Sequence, residues 1–269
     1  MQWPDALGNL HGPAGDHPRI VSLVPSITEL LADLELLPQL VGRTGFCIHP
    51  KAALKAVPKV GGTKGFDLEK VRALAPTHVI VNVDENRQEE VAALAAFVPH
   101  IIVTHPLGPD DNPALYRLIG GIFNRQAQAE ALCRAYEQAR ARLAATVAEL
   151  PRQGVLYLIW KAPWMSVCRD TYIARMLAAA GWDTLPEHSP DRYPEVPLAL
   201  AREADLVLLP SEPYHFQEAD ARELAALPEV GGTPVHCVDG EMISWYGSRA
   251  VAGLDYLAAL RRQLTQAAA

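Results

Sequence analysis

The sequence predicts an α/β protein of two mainly parallel lobes bridged by one long backbone helix, with a ligand cleft between the lobes. Three observations carry this expectation. The same helix-then-strand unit is written twice: Val71-Arg-Ala-Leu-Ala75 leads through Pro76 and His78 into Val79-Ile-Val-Asn-Val83, and Leu198-Ala-Leu-Ala-Arg202 leads through Asp205 into Leu206-Val-Leu-Leu209. Each copy ends in an acidic residue, Glu85 in the first and Glu212 in the second. Between the copies, residues 126–150 contain neither Gly nor Pro and are dominated by strong helix formers. Ligands of open parallel sheets sit beyond the carboxyl ends of the strands, so Glu85 and Glu212 are expected to face one another across a shared pocket.

Taken in order, residues 1–18 hold three Gly and three Pro without periodicity and read as a loose arm or edge hairpin. Residues 19–125 form the N-terminal lobe. Ile20-Val-Ser-Leu-Val24 is of strand length, and Ile27, Leu30, Leu31 and Leu34 follow at helical spacing, with Ser26 as N-cap and Glu29 completing a capping box. Leu40-Val41 and Val57–Val60 read as short strands. A helix through Val91, Leu94 and Phe97 precedes a strand at His100–Thr104, and Asn112-Pro113 caps a helix that ends near Asn124.

The backbone helix, 126–150, spans roughly 37 Å at about 1.5 Å per residue. Its apolar residues Leu132, Ala135, Tyr136, Ala139, Leu143 and Val147 recur at spacings of three and four. Residues 151–269 form the C-terminal lobe. It opens with the strand Val155–Ile159, continues with a helix from Tyr172 stopped by Gly181, and closes with a strand at Pro234–Val238 and a helix from Ala250 to Gln263. A helical joint permits only small opening motions.

The composition narrows the function. The 269 residues are 49% apolar, enough for a substantial core, and the net charge of −7 without a dense Lys/Arg run argues against nucleic acid. The first residues lack the basic start and apolar core of a secretion signal, and no stretch is long enough to span a membrane, so a cytoplasmic monomer is expected. The four cysteines lack CxxC spacing and read as reduced thiols. Glycine-rich phosphate loops, Gly-x-Ser-x-Gly and His-Glu-x-x-His are all missing, so no enzyme is indicated.

Ile20-Val-Ser-Leu-Val-Pro-Ser-Ile-Thr-Glu-Leu30, Val60-Gly-Gly-Thr63 with Leu68-Glu69, and Val238-Asp-Gly-Glu241, in that order and spacing, resemble the helical-backbone metal receptors. These are the substrate-binding proteins of cobalamin and iron-siderophore ABC importers. A subgroup lacking a signal peptide is similar also in Gly45-Phe-Cys-Ile-His-Pro50, Ser211-Glu-Pro213 and Val238–Arg249. The resemblance implies a small-molecule ligand that is metal-containing or flat and organic, with a bound corrinoid, iron chelate or transition metal as the implied cargo. It also implies an ABC permease as partner, met by one exposed Glu on each lobe. Glu69 stands at the first such place and Glu195 one residue short of the second. Where cobalamin-binding members present a Trp and an Arg-Pro pair, this chain has Thr63 and Trp245-Tyr246.

The candidate ligand-binding residues lie just past predicted strands. Cys47 and His49 combine a thiol with an imidazole and are the candidate metal ligands, against the plainer reading of a packed thiol beside a loop histidine. Lys64, Lys161, Arg169 and Arg249 are cations on loops that would draw a carboxylate or phosphate. Trp160, Trp164, Tyr214, Trp245 and Tyr246 are aromatics suited to stacking on a planar ring system, or to ordinary core packing. Glu85, Glu212 and Glu241 complete the set. The alternatives are a cytoplasmic enzyme on the same receptor fold, with Glu212, Glu241, Lys161 and His49 as its polar centre, or a ligand sensor.

Overall fold

A computed structural model describes residues 1–267, which cluster into two compact units. The first comprises Met1–Pro106, Asp110–Tyr136 and Tyr246–Arg249; the second comprises Leu107–Pro109, Glu137–Trp245 and the described residues from Ala250 onward.

In the first unit the N-terminal stretch is an antiparallel hairpin, β1 (Trp3–Pro4) with β2 (Leu10–His11). It is tied down: the buried Asp5 carboxylate accepts from the amides of Leu7, Asn9 and Val103, and Ala6 N donates to Val103 O. Burial pushes the Asp5 carboxyl up, but these bonds and His11 outweigh it and hold the group below the usual range. There follow β3 (Ile20–Ser22), α1 (Pro25–Asp33), β4 (Leu40–Arg43), α2 (Leu68–Ala73), β5 (His78–Asn82), α3 (Gln88–Leu94), β6 (His100–Thr104) and α4 (Asn112–Ile122). The four strands β3 to β6 form a parallel sheet ordered β4-β3-β5-β6. Each crossover carries a helix, which covers a face of the sheet. Hence β3 and β5 are buried along their whole length, and their apolar residues run consecutively rather than alternating.

Helix α5 (Gln126–Val147) contributes its first half to one unit and its second half to the other. The second unit then contains β7 (Gln153–Tyr157), α6 (Tyr172–Ala179), β8 (Trp182–Thr184), β9 (Leu206–Pro210), α7 (Glu218–Ala225), β10 (Val235–Val238), α8 (Gly240–Ser244) and most of α9 (Arg249–Ala267). Its parallel sheet is ordered β10-β9-β7-β8. Numbered within each unit, both sheets read second-first-third-fourth. The duplication seen in the sequence is therefore a duplication of topology. Arg261 on α9 fastens the helix to the start of β7, donating to Gln153 Oε1 and Pro151 O and lying 5.3 Å over the ring of fully buried Trp182.

Several local expectations need correction. Ser26 is not the N-cap of α1: Val24 holds that place, Pro25 opens the first turn, and Glu29 pairs with Arg249 instead of closing a capping box. Proline with its preset φ starts the helix without a side-chain cap. Asn112 is a helical residue, capped by position from Asp111, and its Oδ1 accepts from Gly247 N. Val57–Val60 is not a strand but follows a 3-10 turn at Ala53–Ala56 and makes one bridge, Lys59 to Arg43. The helix before β9 is a 3-10 helix, Leu198–Glu203. Asp67 and Thr171 provide side-chain caps, and Gln217 with Asp220 a capping box, for α2, α6 and α7.

His78, buried at the start of β5, stacks on His100 with ring centroids 4.7 Å apart and meets Phe123 edge-on. Burial, reinforced by His100 and His11, lowers its pKa to about 4. The folded protein therefore favours the neutral ring. That contribution is complete above the ordinary histidine pKa and is lost as pH falls toward 4, at most about 3 kcal/mol. In urea unfolding at pH 7 and pH 4.5, His78→Gln should lose less stability between the two conditions than the parent. Equal losses would show that His78 is not the acid-sensitive group.

Candidate ligand-binding residues

In each unit the third strand ends in a carboxylate, and in each that carboxylate is gripped from the run Ser244-Trp245-Tyr246. In the first unit the turn after β5 is stiffened by its asparagines. Asn82 Oδ1 accepts from Asp84 N, Asn86 Oδ1 accepts from Asn82 N, and Asn86 Nδ2 donates to Leu23 O and Thr63 O. This presents Glu85, whose Oε1 accepts from Tyr246 Oη at 2.6 Å. The Tyr246 hydroxyl is pushed far above its ordinary pKa, by burial first and the Glu85 charge second, so it remains a donor.

Residues Tyr246–Arg249 are bound into the first unit at every step. Gly247 N donates to Asn112 Oδ1, Tyr116 Oη donates to Gly247 O, and Arg249 forms a bidentate pair with Glu29 at 2.7 Å. Gly247 has φ +80°, and a Cβ there would stand 3.2 Å from Ser26 O. Arg249, expected to reach a ligand anion, is thus committed to Glu29.

In the second unit the turn after β9 places Glu212. Ser211 N donates to Val238 O, and Gly240 N donates to Ser211 Oγ. Any side chain at Gly240 would come within 2.8 Å of Glu212 N, so close approach of these two loops requires glycine. Glu212 Oε1 accepts from both Ser244 Oγ and Trp245 Nε1 at 2.6 Å. Burial raises the Glu212 pKa; the two donors oppose the rise, and Glu241 and Asp239 add to it.

The aromatics divide. Trp245 and Tyr246 are buried and serve as hydrogen-bond donors, in line with the packing alternative for these two rings. Trp160 packs edge-on against Tyr214 at 5.6 Å, Tyr214 meets Phe216 at 4.5 Å, and Trp164 stacks on Phe216 at 6.2 Å. Of these, Trp160 is 42% exposed and able to contact a ligand face. Lys161 is held by Asp220 and Glu223 at 3.0 and 2.9 Å, which raise its pKa, and Arg169 pairs with Glu187. Glu241 is half-buried in the first turn of α8.

Cys47 is fully buried, with its thiol 3.1 Å from Thr44 Oγ1, and burial raises its pKa. That is the environment of a packed neutral thiol rather than a soft thiolate. His49 is half-buried and Lys64 exposed. Among the described residues no group of three or more His, Cys, Asp or Glu is placed to hold a metal ion. Glu69 and Glu195 are both exposed, Glu69 in the first turn of α2 and Glu195 ahead of the 3-10 helix at Leu198–Glu203. Phe216, Ser244 and Asn86 are not among the sequence candidates, and Glu29 is expected there only as part of a cap. The adjacency of three side-chain donors, Ser244-Trp245-Tyr246, is the signal in the sequence for a polar role.

Because Glu212 has a raised pKa, its protonated form favours folding; that contribution is full below the usual carboxylate range and fades as pH rises through the raised value. Trp245→Phe removes one donor, should cost about 1 kcal/mol or more at neutral pH, and should move the Glu212 titration further up. Carboxyl-selective infrared or NMR titration of the two proteins checks the direction.

The Periplasmic binding protein family model matches residues 20–230. Among curated relatives, a vitamin B12-binding protein of Pectobacterium carotovorum subsp. carotovorum is 24% identical over 180 residues, 66% of this chain and 65% of that protein. The match thus spans a little under two thirds of the relative's length. Two solved structures share the fold. The periplasmic vitamin B12-binding protein of Vibrio cholerae has a TM-score of 0.78 at 17% identity, covering 92% of this chain and 98% of that one. A periplasmic heme-binding protein of Pseudomonas aeruginosa has a TM-score of 0.77 at 24% identity, covering 90% and 92%. No helix among the described residues is long and apolar enough to cross a membrane. With more than half its length matched, this chain belongs to the periplasmic binding protein family.

Proposed function

We propose that this protein is the substrate-binding component of an importer for a tetrapyrrole or iron chelate, and that the ligand is contacted by groups at the carboxyl ends of the parallel strands. The observation that carries this reading is the repeated topology in which each third strand ends in a carboxylate fixed by an aromatic donor, Glu85 by Tyr246 and Glu212 by Trp245. Fixed carboxylates are receptor groups in waiting: their orientation costs nothing further when a ligand arrives. Trp160, exposed on its aromatic cluster, adds a flat apolar contact. The names of the relatives, vitamin B12-binding and heme-binding, support the ligand class.

A panel of hemin, cyanocobalamin and a ferric siderophore, read by thermal shift and visible absorbance, tests the proposal. One member at 100 times its Kd should stabilise the fold by about 2.7 kcal/mol, and Glu85→Ala or Glu212→Ala should weaken that binding. No shift with any member overturns it.

Glu69 and Glu195 are the proposed contacts to a permease, pairing with its arginines. Their exposure supports the role. Charge reversal, Glu69→Arg, should abolish co-purification with the permease while leaving ligand affinity unchanged.

A further inference from the structure

The loop that carries Cys47 turns the cysteine inward and its two neighbours outward. Phe46 is 63% exposed and Ile48 46% exposed, among the largest apolar exposures of the first unit. The loop that displays them is rigid. Arg43, itself buried, donates to the carbonyls of Thr44, Cys47 and Leu54, and Gly45 N donates to Gly61 O. The buried guanidinium holds the loop to three backbone carbonyls. Two apolar side chains held out in water on such a mount are prepared for a contact.

Charge accompanies them. From Leu36 to Phe66 the chain has no Asp or Glu, while Arg43, Lys51, Lys55, Lys59 and Lys64 all fall within it, in a protein whose net charge is −7. The four lysines are exposed and pair with no carboxylate among the described residues. The Lys64 backbone adjoins the Phe46 ring at Gly62: a Cβ on Gly62 would stand 3.5 Å from Phe46 Cε2 and 2.9 Å from Lys64 O. Glu90, packed against the end of this stretch, is taken up by Gly65 N at 3.0 Å and by Arg87 at 3.7 Å. The loop follows β4, so it lies at the carboxyl edge of the sheet, where exposed Val83 follows β5.

We propose that Phe46, Ile48 and Lys64 form a specificity surface that selects a flat apolar ligand bearing carboxylates over a neutral one. The aromatic and aliphatic groups cover the ring system and the lysine meets an acid on its rim. This rests on the receptor reading above and goes further, since it separates two ligand chemistries that reading leaves together. Hemin, with its propionate carboxylates, is of the favoured kind; cyanocobalamin, whose periphery is amide, is not.

The test titrates the full chain with hemin, followed by its visible absorbance, and with cyanocobalamin, followed by calorimetry. Hemin should bind at least about tenfold more tightly. Phe46→Ala and Lys64→Glu should each weaken hemin by about tenfold, the second loss shrinking at high salt, with thermal midpoints unchanged because both residues are exposed. Tighter binding of cyanocobalamin, or hemin affinity unmoved by both variants, overturns the proposal and leaves the receptor reading standing. Failure of every member of the panel removes both.

Discussion

Everything in this molecule follows from the need to bury both faces of a parallel sheet. A parallel ladder cannot be closed by hairpins; each strand must be reached by a crossover, and the crossover helices supply the cover that the apolar strands require. Once the strands are parallel, all their carboxyl ends lie on one edge, and the loops that leave that edge are free to carry function. The loops after β4, β5, β7 and β9 hold most of the polar and aromatic groups described above. Chemistry is concentrated there because the opposite edge is occupied by chain arriving from the helices.

The paired carboxylates show how such an edge is made specific. Glu85 and Glu212 arise at equivalent places in a duplicated topology, but the groups that orient them are not duplicated. Both are served by neighbouring residues of a single late segment, a hydroxyl and an indole for Glu212 and a phenol for Glu85. Symmetry of scaffold is thus combined with asymmetry of detail. Burial raises one carboxyl toward neutrality while its donors pull the other way, leaving a group whose charge is sensitive to what arrives beside it.

The fold was largely legible in the sequence because its cues are local. Continuous apolar runs such as Val79–Val81 and Leu206–Leu209, separated by helical spacing, specify buried parallel strands, and the Gly- and Pro-free stretch from Gln126 specifies a long helix, observed to Val147. What failed was detail decided by distant partners. Ser26 has the right composition for a cap, yet Pro25 starts the helix one residue earlier. Asn112 looks like a cap and instead serves Gly247, more than a hundred residues away. The site was legible as a neighbourhood but not in its roles: Lys161, Arg169 and Arg249 lie on the expected loops, and each is matched by an acid whose position no local pattern reveals. Trp245 and Tyr246 were picked for their rings and are used for their donors.

The return of Tyr246–Arg249 to the first unit has a consequence for how the chain matures. Fully buried Asn112 and Tyr116, together with Glu29 and Glu85, take partners more than a hundred residues later in the chain. During synthesis these particular bonds can therefore form only after residues 246–249 have left the ribosome. The first unit thus receives part of its hydrogen bonding only after every strand of the second unit has been made.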